Sequence, residues 1–143
     1  MTFEDMSVTS FMTKDVKTAH SNQTIREVCK SMHDHRIGSI VILQGNADLT
    51  TEMKDHTPAG MVTERDVVSY LGSDRALSLR TVISEIMSTP LITIGTANSL
   101  KDAIETMQLR NIRRLPVIDG KNNGNSGKMV GIITDKDILR AIM

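Results

Sequence analysis

The chain is built twice over, and that internal duplication constrains its fold more than any other feature. When TSFMTKDVKTAHSNQTIREVCKSMHDHRIGSIVIL is set beside SEIMSTPLITIGTANSLKDAIETMQLRNIRRLPVI, Met12 meets Met87, Ile25 meets Leu100, Met32 meets Met107 and Ile37 meets Ile112, each pair 75 positions apart. Past a polar loop in each half, GMVTERDVVSYL from Gly60 meets GIITDKDILRAI from Gly131 at an offset of 71. A duplication at this period has to be read before anything else, because each copy is one supersecondary unit. A copy of about 60 residues buries too little apolar surface to be secure alone, so the two are expected to pack as one pseudo-symmetric domain.

Both copies carry the same local signals. Thr24-Ile-Arg-Glu27 and Ser99-Leu-Lys-Asp102 are capping boxes, in which a hydroxyl and a carboxylate three residues apart satisfy each other's backbone amides at a helix start. Ile25, Val28 and Met32, and then Leu100, Ala103, Ile104 and Met107, follow at the spacing of a helix with one buried face. IGSIVIL from Ile37 and LPVI from Leu115 are β-rich runs, read as strands buried on both faces. The stretches from Gln44 and from Asp119 are polar or rich in Gly and Asn, and are read as exposed turns or connections. AGMVT and KMVGIIT are strands that run into helices beginning near Glu64 and Asp135. The unit is therefore strand, helix, strand, strand, helix, a mixed α/β (α+β) fold.

Composition excludes several classes. The 143 residues carry 17 Lys and Arg against 17 Asp and Glu, so there is no basic field to release counterions from nucleic acid. Aromatic content is 2%, leaving little material for base stacking, and the core must be aliphatic. The ten Met residues are read as core, and Cys29 as a small apolar group on a helix, with no disulfide partner in the chain. His33 and His35 point in different directions on a helix, while His20 and His56 fall in loop-like segments, so no metal site is expected. With no bilayer-length apolar run and no export signal, a cytoplasmic protein is expected.

The motif that can carry chemistry is Gly60-Met-Val-Thr63-Glu-Arg-Asp66, repeated as Gly131-Ile-Ile-Thr134-Asp-Lys-Asp137. Thr and Asp three apart can simply cap a helix. A second reading is functional: a Gly three residues before each Thr lets another group approach the strand backbone. A hydroxyl and a carboxylate at a strand-to-helix turn can also accept from ribose hydroxyls, while the helix-start amides face phosphate.

The order MT/MS, TIREV/SLKDA, IGSIVI/IRRLPVI and GxxTxxD resembles a tandem pair of cystathionine-β-synthase (CBS) domains, with repeats over 8–72 and 79–143. The resemblance implies a Bateman module: two βαββα repeats packed by pseudo-twofold symmetry, dimerising into a flat disk, with ligand clefts between repeats that bind adenosine nucleotides and related compounds. In the similar repeats of the γ subunit of AMP-activated protein kinase, each site combines the GxxTxxD stretch of one repeat with basic residues of the other. Carried over, the first cleft takes Met61, Thr63 and Asp66 with Ile92, Arg113, Arg114 and Lys136; Asp66 would hold the ribose hydroxyls and the three basic residues the phosphate. The second takes Ile132, Thr134 and Asp137, with Lys17, Arg36 and Arg65 as phosphate candidates, but it has Gly38-Ser39 where the first has Arg113-Arg114. The implied protein is a regulatory sensor of AMP, ADP or ATP, with magnesium as an optional companion and no covalent cofactor. It is expected to be a homodimer through Val67, Val68 and Leu71 and through Ile138, Leu139 and Ile142, acting on an unidentified regulated protein. The alternatives are a docking module with degenerate sites and a sensor of another adenosyl ligand such as S-adenosylmethionine. An enzyme is disfavoured, because no nucleophile, base and orienting group converge.

Overall fold

A computed structural model describes residues 2–44, 57–73, 78–89, 91–119 and 128–143. Most of the two expected polar loops, and His56 with them, lie outside these residues. The first set of elements is β1 (Thr18–His20), α1 (Ile25–His35), β2 (Ser39–Leu43), β3 (Pro58–Thr63) and α2 (Glu64–Leu71). The second is β4 (Ile94–Gly95), α3 (Leu100–Arg110), β5 (Arg114–Ile118), β6 (Met129–Thr134) and α4 (Asp135–Ile142). The order strand, helix, strand, strand, helix occurs twice, as the repeat requires. His20 closes β1 instead of lying in a loop.

The strands form two three-stranded sheets, ordered β1-β2-β3 and β4-β5-β6. In each, the first pair is parallel and the second antiparallel, so the intervening helix is the crossover that a parallel pair needs. Four of the five residues of both central strands are buried, matching their unbroken apolar sequence. Helices α1 to α4 each begin with a complete capping box, at Thr24/Glu27, Thr63/Asp66, Ser99/Asp102 and Thr134/Asp137. Helices α1 and α3 end on Arg36 and Asn111 in the left-handed region, at φ 55° and 54°.

The chain divides into two compact units, Lys17–Leu91 and Met1–Val16 with Ile92–Met143. Sequence repeat and spatial unit therefore part company over the segments that precede β1 and β4. The reason lies in backbone hydrogen bonds. In the first unit the amides of Ile25 and Arg26 donate to the carbonyls of Thr81 and Leu79, at 2.8 and 3.0 Å. In the second, Leu100 and Lys101 donate to Met6 and Phe3, at 2.8 and 3.2 Å. Each entry segment thus satisfies helix-start donors that the helix cannot satisfy itself. One core contains Ile25, Val28, Ile40, Ile42, Val62 and Val67; the other contains Leu100, Ala103, Leu115, Val117, Ile133 and Ile138.

The α3 capping box has a pH signature. The Ser99 backbone N–H, followed by the Asn98 side-chain amide, holds the Asp102 carboxyl below its ordinary value; both donate to Oδ2 at 3.0 Å. A carboxyl depressed in the folded state contributes stability that is fully present above its unfolded pKa of about 3.9 and is lost as pH falls through the folded value. Urea midpoints of the wild type should therefore fall on acidification below about pH 4. In Asp102→Asn that fall should be shallower, and identical pH profiles would contradict the assignment.

Candidate functional site

The GxxTxxD residues lie at two strand-to-helix turns, one in each unit. In the Lys17–Leu91 unit, β3 delivers Met61 and Thr63 to the start of α2, where Asp66 sits in the first turn. Met61 and Thr63 are cross-strand partners of Val41 and Ser39, and so share one sheet face with them. The other face carries Ile40, Ile42 and Val62, packed with α1 and α2 in the core. In the second unit, Ile132 and Thr134 pair with Pro116 and Arg114 in the same manner. Gly38 and Arg113 occupy equivalent places, since the carbonyl of each accepts the first amide of the following helix at 3.0 Å. Arg113, Arg114 and Lys136 are exposed, and Ile92 is half-buried against its unit's core.

The motif glycines have a structural cause. A Cβ on Gly60 would lie 2.8 Å from Met87 Sδ and 2.9 Å from the Ser88 carbonyl oxygen, and one on Gly131 would lie 2.6 Å from Met12 Sδ and 2.9 Å from the Thr13 carbonyl oxygen. The group that approaches the strand is the chain's own entry segment, which bridges Met61 to Ser88 and Thr13 to Ile132. The glycines therefore do not argue for a ligand. The same bridges occupy the backbone amides of Met61 and Ile132, leaving their side chains for any bound molecule. Gly131→Ala should cost about 1–3 kcal/mol, because the Thr13 carbonyl cannot retreat without breaking its bond to the Ile132 amide. A denaturant midpoint equal to wild type would contradict this packing.

The expectation that helix-start amides lie open to phosphate is corrected at α4. Asp135 N–H donates to the Arg113 carbonyl, Lys136 N–H to Asp135 Oδ1 at 2.8 Å and Asp137 N–H to Thr134 Oγ1 at 3.2 Å. An anion at this turn would therefore meet side chains and not free amides. The two carboxylates also differ. Asp66 is half-buried, and its Oδ2 accepts the Thr63 amide at 2.9 Å. Asp137 is 2% exposed and paired with Arg140. Arg140 was not among the residues singled out above, although the aligned motif stretches place it against Ser69.

Of the remaining candidates, Lys17 is half-buried directly before β1, and Arg65 is exposed in the first turn of α2. Arg36 lines a groove of about 680 Å³ with Cys29, Met32, Glu64 and Val68, on the side of α1 and α2. Burial pushes the Cys29 thiol pKa up, away from the thiolate form that a nucleophile needs. Among the described residues no group of three or more His, Cys, Asp or Glu is placed to hold a metal ion. No helix among them is long and apolar enough to cross a membrane.

The CBS domain family model matches residues 8–73 and again 83–143. The chain belongs to the CBS domain family. It is 34% identical over 135 residues to the uncharacterized protein MK0525 of Methanopyrus kandleri, covering 94% of this chain and 62% of that protein. It is 33% identical over 132 residues to the CBS domain-containing protein YhcV of Bacillus subtilis, covering 92% and 82%. Among solved structures, the CBS domain pair of protein MJ0100, in complex with 5'-methylthioadenosine and S-adenosyl-L-methionine, superposes with a TM-score of 0.73 at 27% identity, covering 96% of this chain and 95% of that one. CBSX2 in complex with AMP shares the fold, with a TM-score of 0.74 at 18% identity and 96% coverage of both chains.

Proposed function

We propose that this CBS pair is a ligand-sensing regulatory module that binds an adenine nucleotide, with the Asp66 turn holding the ribose. The observation that carries the reading is the unsaturated Asp66 carboxylate. A carboxylate offers about four lone-pair positions, and among the described residues only the Thr63 amide donates to this one. Two vicinal hydroxyls are donors of the kind it lacks. Arg113, Arg114 and Lys136 supply the phosphate contacts that the family resemblance assigns to them, with guanidinium planes suited to phosphate oxygens. Ile92 and Met61 supply apolar contacts to the base. The ligands of MJ0100 and CBSX2 have adenosine in common, which supports the nucleoside half of the assignment. S-adenosylmethionine is the second reading, favoured by the MJ0100 complex.

A thermal-shift series with AMP, ADP, ATP, S-adenosylmethionine and GMP tests the reading. A ligand at about 100 times its Kd should stabilise the fold by about 2.7 kcal/mol. A rise with at least one adenosyl compound is expected. No rise with any of them would favour a module whose only product is docking.

The same reading makes the chain a homodimer. Val67 and Ile138 are buried in the cores, whereas Val68, Leu71, Leu139 and Ile142 on the same helices are between 52% and 68% exposed. Apolar groups left out in this way at helix surfaces call for a partner face. Sedimentation should find a dimer at micromolar concentration, and monomer alone would contradict the assembly.

A further inference from the structure

The two GxxTxxD turns share their Thr and Asp but not what surrounds the carboxylate. At Asp137, Oδ2 accepts the Thr134 amide at 2.9 Å and the Thr134 hydroxyl at 3.1 Å. Its Oδ1 accepts the Thr13 hydroxyl at 3.4 Å and the Arg140 guanidinium. Those donors fill the roughly four acceptor positions a carboxylate has, and the residue is 2% exposed. The difference traces to two aligned positions of the duplication: the Lys17–Leu91 unit has Ser69 and Ser88 where the other unit has Arg140 and Thr13.

We propose that Arg140 closes the second turn to ribose, so that the chain carries one ribose-accepting turn, at Asp66, and one whose carboxylate is occupied from within. Ligand hydroxyls reaching Asp137 would have to displace a guanidinium held three residues away on the same helix, and a neutral hydroxyl does not return the attraction between two full charges. Asp66 asks for no such exchange, because nothing charged occupies it among the described residues. The inequality lies in the carboxylates themselves, apart from any difference in phosphate-binding residues. It rests on the reading of the GxxTxxD Asp as a ribose acceptor and adds the residue that decides which copy can act as one.

Calorimetric titration with AMP tests this in wild type, Arg140→Ser, Arg140→Lys and Ser69→Arg, with circular dichroism to establish that each is folded. One site per chain is expected in the wild type and in Arg140→Lys, and two in Arg140→Ser. Ser69→Arg, a change at an exposed position of α2, brings a guanidinium to the Asp66 turn and should weaken AMP at least tenfold even if Arg140→Ser does not fold. Two sites in the wild type, one in Arg140→Ser, or unchanged affinity in Ser69→Arg would each overturn the proposal while leaving nucleotide binding intact. Binding in Arg140→Ser without binding in wild type would uphold the role of Arg140 and overturn the Asp66 assignment. No binding in any of the four would overturn both.

Discussion

Asp66→Ala is expected to weaken adenine nucleotide binding at least tenfold. Each charge-assisted hydrogen bond from a ribose hydroxyl to the carboxylate is worth about 1.5–3 kcal/mol, and water returns part of that when the carboxylate is gone. The substitution also removes the acceptor for the Thr63 amide, so α2 loses half of its capping box and the fold should lose about 0.5–2 kcal/mol. These two effects are separable. Asp66→Asn keeps an oxygen in place for the Thr63 amide while removing the charge, so it should retain most of the stability and still lose affinity. Calorimetry and a denaturant series on both variants decide the matter: affinity equal to wild type in a folded Asp66→Ala would leave this carboxylate with no role beyond capping.

Leu115→Ala is expected to have the largest effect on stability. Leu115 is fully buried in the middle strand of the second sheet, opposite Ile133 and in one core with Leu100, Ala103 and Val117. Shortening it removes three carbons from a site walled by rigid strand neighbours, and such truncations cost about 2–5 kcal/mol because the cavity collapses only in part. Leu109→Ala is the matched control. That side chain is 82% exposed on α3, away from the helices assigned to the dimer, and its loss should change stability by no more than about 0.5 kcal/mol. Urea midpoints that shift equally for the two variants would contradict the placement of the core.

The duplicated pattern made most of the fold legible, for a physical reason: capping boxes and apolar periodicity are local signals, written within a few residues of what they specify. The boxes at Thr24, Thr63, Ser99 and Thr134 all form, and the buried positions of α1 are the Ile25, Val28 and Met32 read from spacing. What escaped is non-local. Nothing in the sequence of 8–16 says that its backbone partners are Asn98 and Ile132, since main-chain carbonyls are alike in every residue. For the same reason, Gly60 and Gly131 could be recognised as places of close approach without the approaching group being identifiable as Met87 and Met12. The site was legible as a set of residue types and not as their state. Thr63/Asp66 and Thr134/Asp137 read alike in sequence, yet one carboxylate is saturated, because Arg140 and Thr13 reach it from beyond the motif. The signal for Arg140 was present in the aligned repeats, as a guanidinium opposite Ser69.

The central claim is that adenosine is held at the Asp66 turn while Arg113, Arg114 and Lys136 read phosphate. Titration of wild type and Arg114→Ala with adenosine, AMP, ADP and ATP at two ionic strengths tests it most directly. The wild type should bind all four, more tightly as phosphate is added and less so at high salt, since screening acts on the phosphate contacts. Arg114→Ala should leave adenosine nearly unchanged and remove most of the gain from phosphate. No saturable binding of any of the four ligands by the wild type, or losses equal across all four in Arg114→Ala, would contradict the account.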